Sequence, residues 1–163
     1  MTAVQDLELG VDALCDVFTG PEFDKALTRE HQRQRTTIPY RSLTVAYPDE
    51  VKTLDGYPAL ELIPGTSDED RDADAAGIVH EISAQFTVNG DDEITMAREL
   101  RRLIAAARAL LKPGTLMPFV GGRFWTERAE FGPTVARRDD NTGATGRYVK
   151  TAALSVHWRT YGL

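Results

Sequence analysis

From Ile78 to Asn89 apolar and polar side chains alternate: Ile78, Ile82, Ala84, Phe86 and Val88 take one parity, and Val79, Glu81, Ser83, Gln85, Thr87 and Asn89 the other. A period of two with one apolar and one polar side predicts a half-buried strand. After Gly90 the period lengthens. Met96, Leu100, Leu103, Ile104, Ala107, Leu110 and Leu111 fall at spacings of three and four and line one side of a helix, leaving Arg98, Glu99, Arg101, Arg102 and Arg108 for its other sides. Asp91, Asp92 and Glu93 stand where carboxylates accept from the free N–H groups of a helix start and favour its dipole, and Lys112, Pro113 and Gly114 close the far end. The pattern describes a strand that hands the chain directly to the helix covering it.

Upstream, Val4, Leu7, Val11, Leu14, Cys15 and Phe18 predict an N-terminal amphipathic helix that tolerates Gly10. A second helix restarts at Thr19 to Glu22, with Thr19 expected as its cap, Glu22 reaching back to it, and Pro21 near the start. Its apolar support, Phe23, Ala26 and Leu27, ends after two turns, and Arg29 to Thr37 is polar. Leu43, Val45 and Tyr47, then Leu60 and Leu62, predict two short strands separated by the Asp55–Gly56 turn signal. Pro64 and Gly65 are expected to end the second strand and open a mobile acidic loop over 65–77.

Beyond the central helix, Leu116 to Val120 reads as a connector. Phe124 to Val135 predicts a strand in which Gly132 and Pro133 mark a bulge or a sheet edge. Arg137 to Arg147 reads as a long hairpin loop. A last strand carries Ala152, Leu154, Val156 and Trp158 on its apolar side and Ala153, Ser155, His157, Arg159 and Tyr161 on the other. The expected class is α+β: a mainly antiparallel sheet with the N-terminal helix and the central helix packed on one face. The opposite, polar face is then either wet or pressed against another subunit.

Composition narrows the function classes. One domain spanning 1–163 is long enough to bury roughly 70% of its unfolded surface. The single Cys15 cannot form an internal disulfide and lies on an apolar stripe, which makes it a structural thiol suited to a reducing cytosol. No apolar run reaches the length of a membrane span, and no secretory leader follows Met1. Nineteen Lys and Arg against 25 Asp and Glu leave a formal charge of −6, which argues against a duplex-gripping protein. The charge is uneven. Asp68, Glu69, Asp70, Asp72 and Asp74 cluster, whereas Arg29, Arg33, Arg35 and Arg41 form a basic stretch and Arg137 with Arg138 another.

Motifs for chemistry are weak. Gly143 to Arg147 lacks the spacing and lysine of a P-loop. His31, His80 and His157 show no metal-ligand spacing, although His80 and His157 become neighbours if their strands pair. Asp70, Asp72, Asp74 and Glu81 imitate a calcium loop, but Ala75 replaces its turn glycine and no helix precedes it, so a solvated acidic loop is the better reading. Ser155 near His157 has no evident third member of a triad. The basic residues between Arg29 and Arg41 lack a stacking platform apart from Tyr40.

The layout resembles the tail terminator proteins of long-tailed bacteriophages, the family that includes the lambda-type terminator. The resemblance is carried by the N-terminal amphipathic helix, the strand start Tyr57-Pro58-Ala59-Leu60, the strand Val79 to Asn89, its passage through Gly90, Asp91 and Asp92 into the central helix, and the long hairpin from Phe124 to Trp158. It implies a virion structural protein, assembled in the host cytoplasm, whose subunits form a homo-oligomeric ring, a hexamer, that ends the tail tube and joins it to the neck or stopper protein. It implies no catalysis, no metal and no cofactor, with DNA only passing through the lumen. Six copies would carry a formal charge of −36, six times −6. Acidic groups facing inward would then repel the passing DNA. The candidate subunit or tube contacts are Glu81, Gln85, Arg137, Arg138, Arg147, His157 and Arg159. The alternatives are another head–tail ring, such as a stopper or tail tube subunit, and a small α+β enzyme using His80 and His157.

Overall fold

The computed structural model describes residues 3–33, 43–46, 56–70, 77–112, 116–117, 124–131, 135–138 and 148–161. These form α1 (Ala3–Thr19), α2 (Pro21–Arg33), β1 (Thr44–Ala46), β2 (Ala59–Asp70), β3 (Gly77–Gly90), α3 (Glu93–Leu110), β4 (Leu116–Met117), β5 (Phe124–Phe131), β6 (Val135–Arg138) and β7 (Tyr148–Tyr161). The strands make one sheet in the order β1-β2-β3-β7-β5-β4, with β6 also on β7. Only the β1–β2 pair is parallel among the described strands. The class is α+β, as the periodicities predict.

The two strongest periodic segments lie at the centre. β3 pairs with β7 along its whole length, from Gly77 opposite Tyr161 to Gly90 opposite Tyr148. Their apolar parities coincide, so Ile82, Ala84, Phe86 and Val88 join Ala152, Leu154 and Val156 on one buried face. Leu60 and Leu62 of β2 extend it. Met96, Leu100 and Leu103 of α3 and Leu111 just past its end, with Val11, Leu14 and Phe18 of α1, close over this face. Phe18 meets Phe86 edge to face at 5.7 Å between ring centres and Phe23 of α2 at 5.1 Å, so one ring joins both N-terminal helices to the sheet.

The reversal from β3 into α3 follows its local chemistry. The Asp92 carboxylate accepts from the backbone N–H groups of Ile94 at 3.2 Å and Thr95 at 3.0 Å, and from the Thr95 hydroxyl. The Thr95 hydroxyl bond, then the backbone bonds, hold Asp92 below the usual carboxylate range. Gly90 lets the first turn fold back tightly, since a Cβ there would stand 3.1 Å from Met96 Cγ.

Several expectations need correction. Thr19 does not cap α2; its hydroxyl donates to the Cys15 carbonyl at 2.8 Å and finishes α1. Glu22 instead pairs with Lys25 at 2.7 Å. Pro64 and Gly65 do not end the second strand. The ladder with β3 shifts register between Pro64 and Ser67 and then continues to Asp70 opposite Gly77, so residues 65–70 belong to a strand rather than to a loop. Gly65 makes this possible, because a Cβ there would stand 3.0 Å from the Glu81 carbonyl oxygen. Residues 71–76, the rest of the expected loop, lie outside the described residues. Leu116 and Met117 are not merely a connector but pair with Trp125 and Phe124. The expected strand from Phe124 to Val135 becomes β5 and β6, and its bulge falls between Thr126 and Arg128; Gly132 and Pro133 lie outside the described residues. Arg137 and Arg138 belong to β6 rather than to a loop.

The helical layer holds another difference. Glu99 and Arg102, expected on outer sides of α3, are 7% and 3% exposed. They are covered because α2 packs along α3, where Arg102 reaches His31.

Candidate assembly surface

Register assembles the face of the sheet opposite the helices, because directly opposed residues in an antiparallel pair point the same way with Cα atoms about 4.5–5.5 Å apart. Glu81 lies opposite His157, Ser83 opposite Ser155, Gln85 opposite Ala153 and Thr87 opposite Thr151. From β2, Glu61 adjoins Gln85 and Ile63 adjoins Ser83. From β5, Arg128 occupies the position beside His157 and Glu130 the position beside Ser155. On β2, β3 and β7 the result is a field of mostly small, polar and charged residues, Ile63 being the apolar exception among those named.

Glu81, Gln85 and His157 are half-buried, as are Ser83 and Ser155. Thr87 is 7% exposed, and its hydroxyl lies 3.1 Å from that of Thr151, so a cross-strand hydrogen bond pins β3 to β7 at this end of the face. Among the described residues no helix covers this side; the helices contact the sheet through the apolar parity alone.

The remaining sequence candidates divide by position. Arg159 sits at the register of Val79 and Trp125, next along β7 on the parity of His157. Arg137 and Arg138 sit opposite Val149 and Tyr148, at the other end of β7. Val149 and His157 are eight residues apart, about 26 Å along an extended strand, so the fold does not bring these arginines to Glu81 and His157. Arg147 lies outside the described residues.

The pairing of His80 with His157 is overturned. His80 lies opposite Trp158 and is fully buried on the helix-covered side, whereas His157 lies opposite Glu81 on the polar side. Alternation along a strand puts adjacent register positions on opposite faces, so one site cannot use both imidazoles. Nor does a hydrogen bond join Ser155, His157 and Glu81 among the described residues, the contact that an activated nucleophile requires. No group of three or more His, Cys, Asp or Glu among the described residues could hold a metal. No helix of the described residues is long and apolar enough to cross a membrane.

Sequence reasoning missed the Arg102–His31 contact and the burial of Glu99. The spacing of Glu99 and Arg102 by three was visible, but what covers them is a helix distant in sequence.

No protein-family model matches the sequence, and no curated protein matches it. Among solved structures the chain is similar to a chain of the virion of a native gene transfer agent particle, at 18% identity and a TM-score of 0.41, over 85% of this chain and 93% of that one. The likeness is weak and fixes neither the details of the fold nor the function.

Proposed function

We propose that the protein is a virion structural protein whose copies form a ring, a hexamer, that ends the phage tail tube and joins it to the neck. The reading is supported by the resemblance of layout to the tail terminators and, above all, by one structural observation: a broad sheet face of half-buried polar residues that no helix covers among the described residues. Such a face suits contact with a neighbouring protein surface, which can satisfy Glu81, Gln85, Ser83, Ser155 and His157 by hydrogen bonds across the interface. A cyclic ring needs two different complementary patches on each subunit, and the polar face supplies a candidate for one. The protein acts by binding, without catalysis and without a cofactor.

The reading is tested by adding the purified protein to polymerising tail tube protein. It predicts arrested tubes of reduced length with one ring on an end. Uncapped tubes that grow as in its absence would sink termination. Incorporation along the tube wall would assign it to the tube subunits instead, and binding only to the head-side connector would assign it to a stopper.

A further inference from the structure

The two halves of α2 are held by different chemistry. Its first two turns bury Phe23, Ala26 and Leu27. From Thr28 to Arg33 every side chain is polar, and here the hydrogen bond between Arg102 and His31 joins α2 to α3 at 2.8 Å.

That bond constrains the protonation of His31. A guanidinium offers N–H donors and no acceptor, so Nδ1 of the ring must accept, and the one proton of the neutral ring then sits on Nε2. An imidazolium carries a proton on each nitrogen and cannot accept. Histidine is also the side chain whose charge ordinarily changes between pH 5 and 8. The bond therefore exists with the neutral ring alone and must break when the ring gains a second proton.

The surroundings do not offset the added charge. α3 brings Arg102 itself, with Glu99 one turn before it and Arg98 next to Glu99, and both charges act on Arg102. On α2, Glu30 is engaged with Arg33 at 3.2 Å. α1 touches α2 where Phe18 meets Phe23, which lies eight residues before His31, about 12 Å along the helix. The acids of α1 whose side chains are described, Glu8, Asp12 and Asp16, are exposed. With a neutral ring, the Glu99 carboxylate already stands against the guanidiniums of Arg98 and Arg102. A protonated ring against Arg102 would add another cation in a space largely closed to water, where like charges repel most strongly.

We propose that His31 is a pH-sensitive latch: its neutral ring holds the C-terminal half of α2 on α3, and its protonation releases residues 28–33 while Phe23, Ala26 and Leu27 keep the first half docked. Release uncovers Glu99 and Arg102, so acid turns a closed seam into a charged surface on α3 beside the exposed Arg98 and Arg101. The direction follows from linkage. The released helix takes up the proton that the bond excludes, so docking is complete near neutrality and is lost as pH falls through the histidine range. The latch belongs to the fold of one chain and stands or falls apart from the ring.

The test is amide hydrogen exchange of the whole chain at pH 7.5 and pH 5.0, with each rate divided by the intrinsic chemical rate at that pH. In the wild type, protection over residues 28–33 should fall about tenfold or more at pH 5.0, while β3 and β7 keep theirs. His31→Asn places an amide oxygen near the position of Nδ1 and takes up no proton, so its protection over 28–33 should be the same at both pH values. Arg102→Met removes the charge that an imidazolium would oppose and should abolish the pH dependence as well. Wild-type protection that does not change with pH would overturn the latch, as would a fall of the same size in both variants. Loss of protection throughout β3 and β7 at pH 5.0 would overturn it too, by showing that acid unfolds the chain as a whole.

Discussion

Arg102 on α3 donates through Nη1 to Nδ1 of His31 on α2 at 2.8 Å. The bond ties α2 to α3 through residues 71 positions apart, and it lies in a nearly closed space, with Arg102 only 3% exposed. Burial draws the Arg102 guanidinium below its ordinary range, and Glu99 one turn earlier opposes that shift. His31→Ala removes the acceptor and should destabilise the fold by about 1–3 kcal/mol. Arg102→Met should cost less than that, because it removes the buried charge while keeping the packing volume. Denaturant midpoints of the two variants check the order, which reverses if packing rather than the bond holds α2.

The central helix gives a pH prediction. Asp92 is held below its usual range by the Thr95 hydroxyl and the backbone N–H groups of Thr95 and Ile94. Because the folded value is depressed, its contribution is fully present above the ordinary aspartate range and is lost as pH falls through the folded value. Asp92→Ala should lower the melting temperature by a few degrees near neutrality, with Asp92→Asn between it and the wild type. The gap between wild type and Asp92→Ala should close in strong acid. A gap that is constant with pH would show that the carboxylate charge plays no part.

Phe86→Ala removes the ring on which Phe18 packs and should cost about 3–5 kcal/mol. Thr87→Val together with Thr151→Val replaces a mutually bonded pair by apolar groups of similar shape and should be nearly neutral, whereas either change alone should cost about 1 kcal/mol. Thermal melts of the four variants, read as a double-mutant cycle for the threonines, test both statements.

How much of this the sequence disclosed depends on how local each cause is. β3, α3 and the apolar side of β7 were legible because their periods are long and unbroken, and burial then follows from parity. Pro64 and Gly65 misled because as a local signal they stop a strand, whereas pairing with β3 accommodates them as a bulge and carries β2 on to Asp70. Leu116 and Met117 are a strand only by virtue of β5. The same holds for the surface. That Glu81, Gln85 and His157 would share a polar face could be read from alternation, but which residue faces His157 depends on register, and register put Glu81 there and His80 on the buried side. Glu99 and Arg102 look solvent-exposed in any reading confined to their own helix.

Arg137 and Arg138 occupy the far end of the sheet, opposite Val149 and Tyr148. Reversing both to Glu should weaken ring or tube association without unfolding the monomer, which cosedimentation with tubes and circular dichroism would check. Unchanged assembly would remove β6 from the contact surfaces and leave the polar face.

The central claim is tested most directly by the mass of the purified protein in solution, read with negative-stain images of the same fractions. The account predicts a particle of six chains of 18.0 kDa, seen as six-fold rings with an open centre. A monomer at every concentration, carrying a stoichiometric metal or turning over a small substrate, would contradict it.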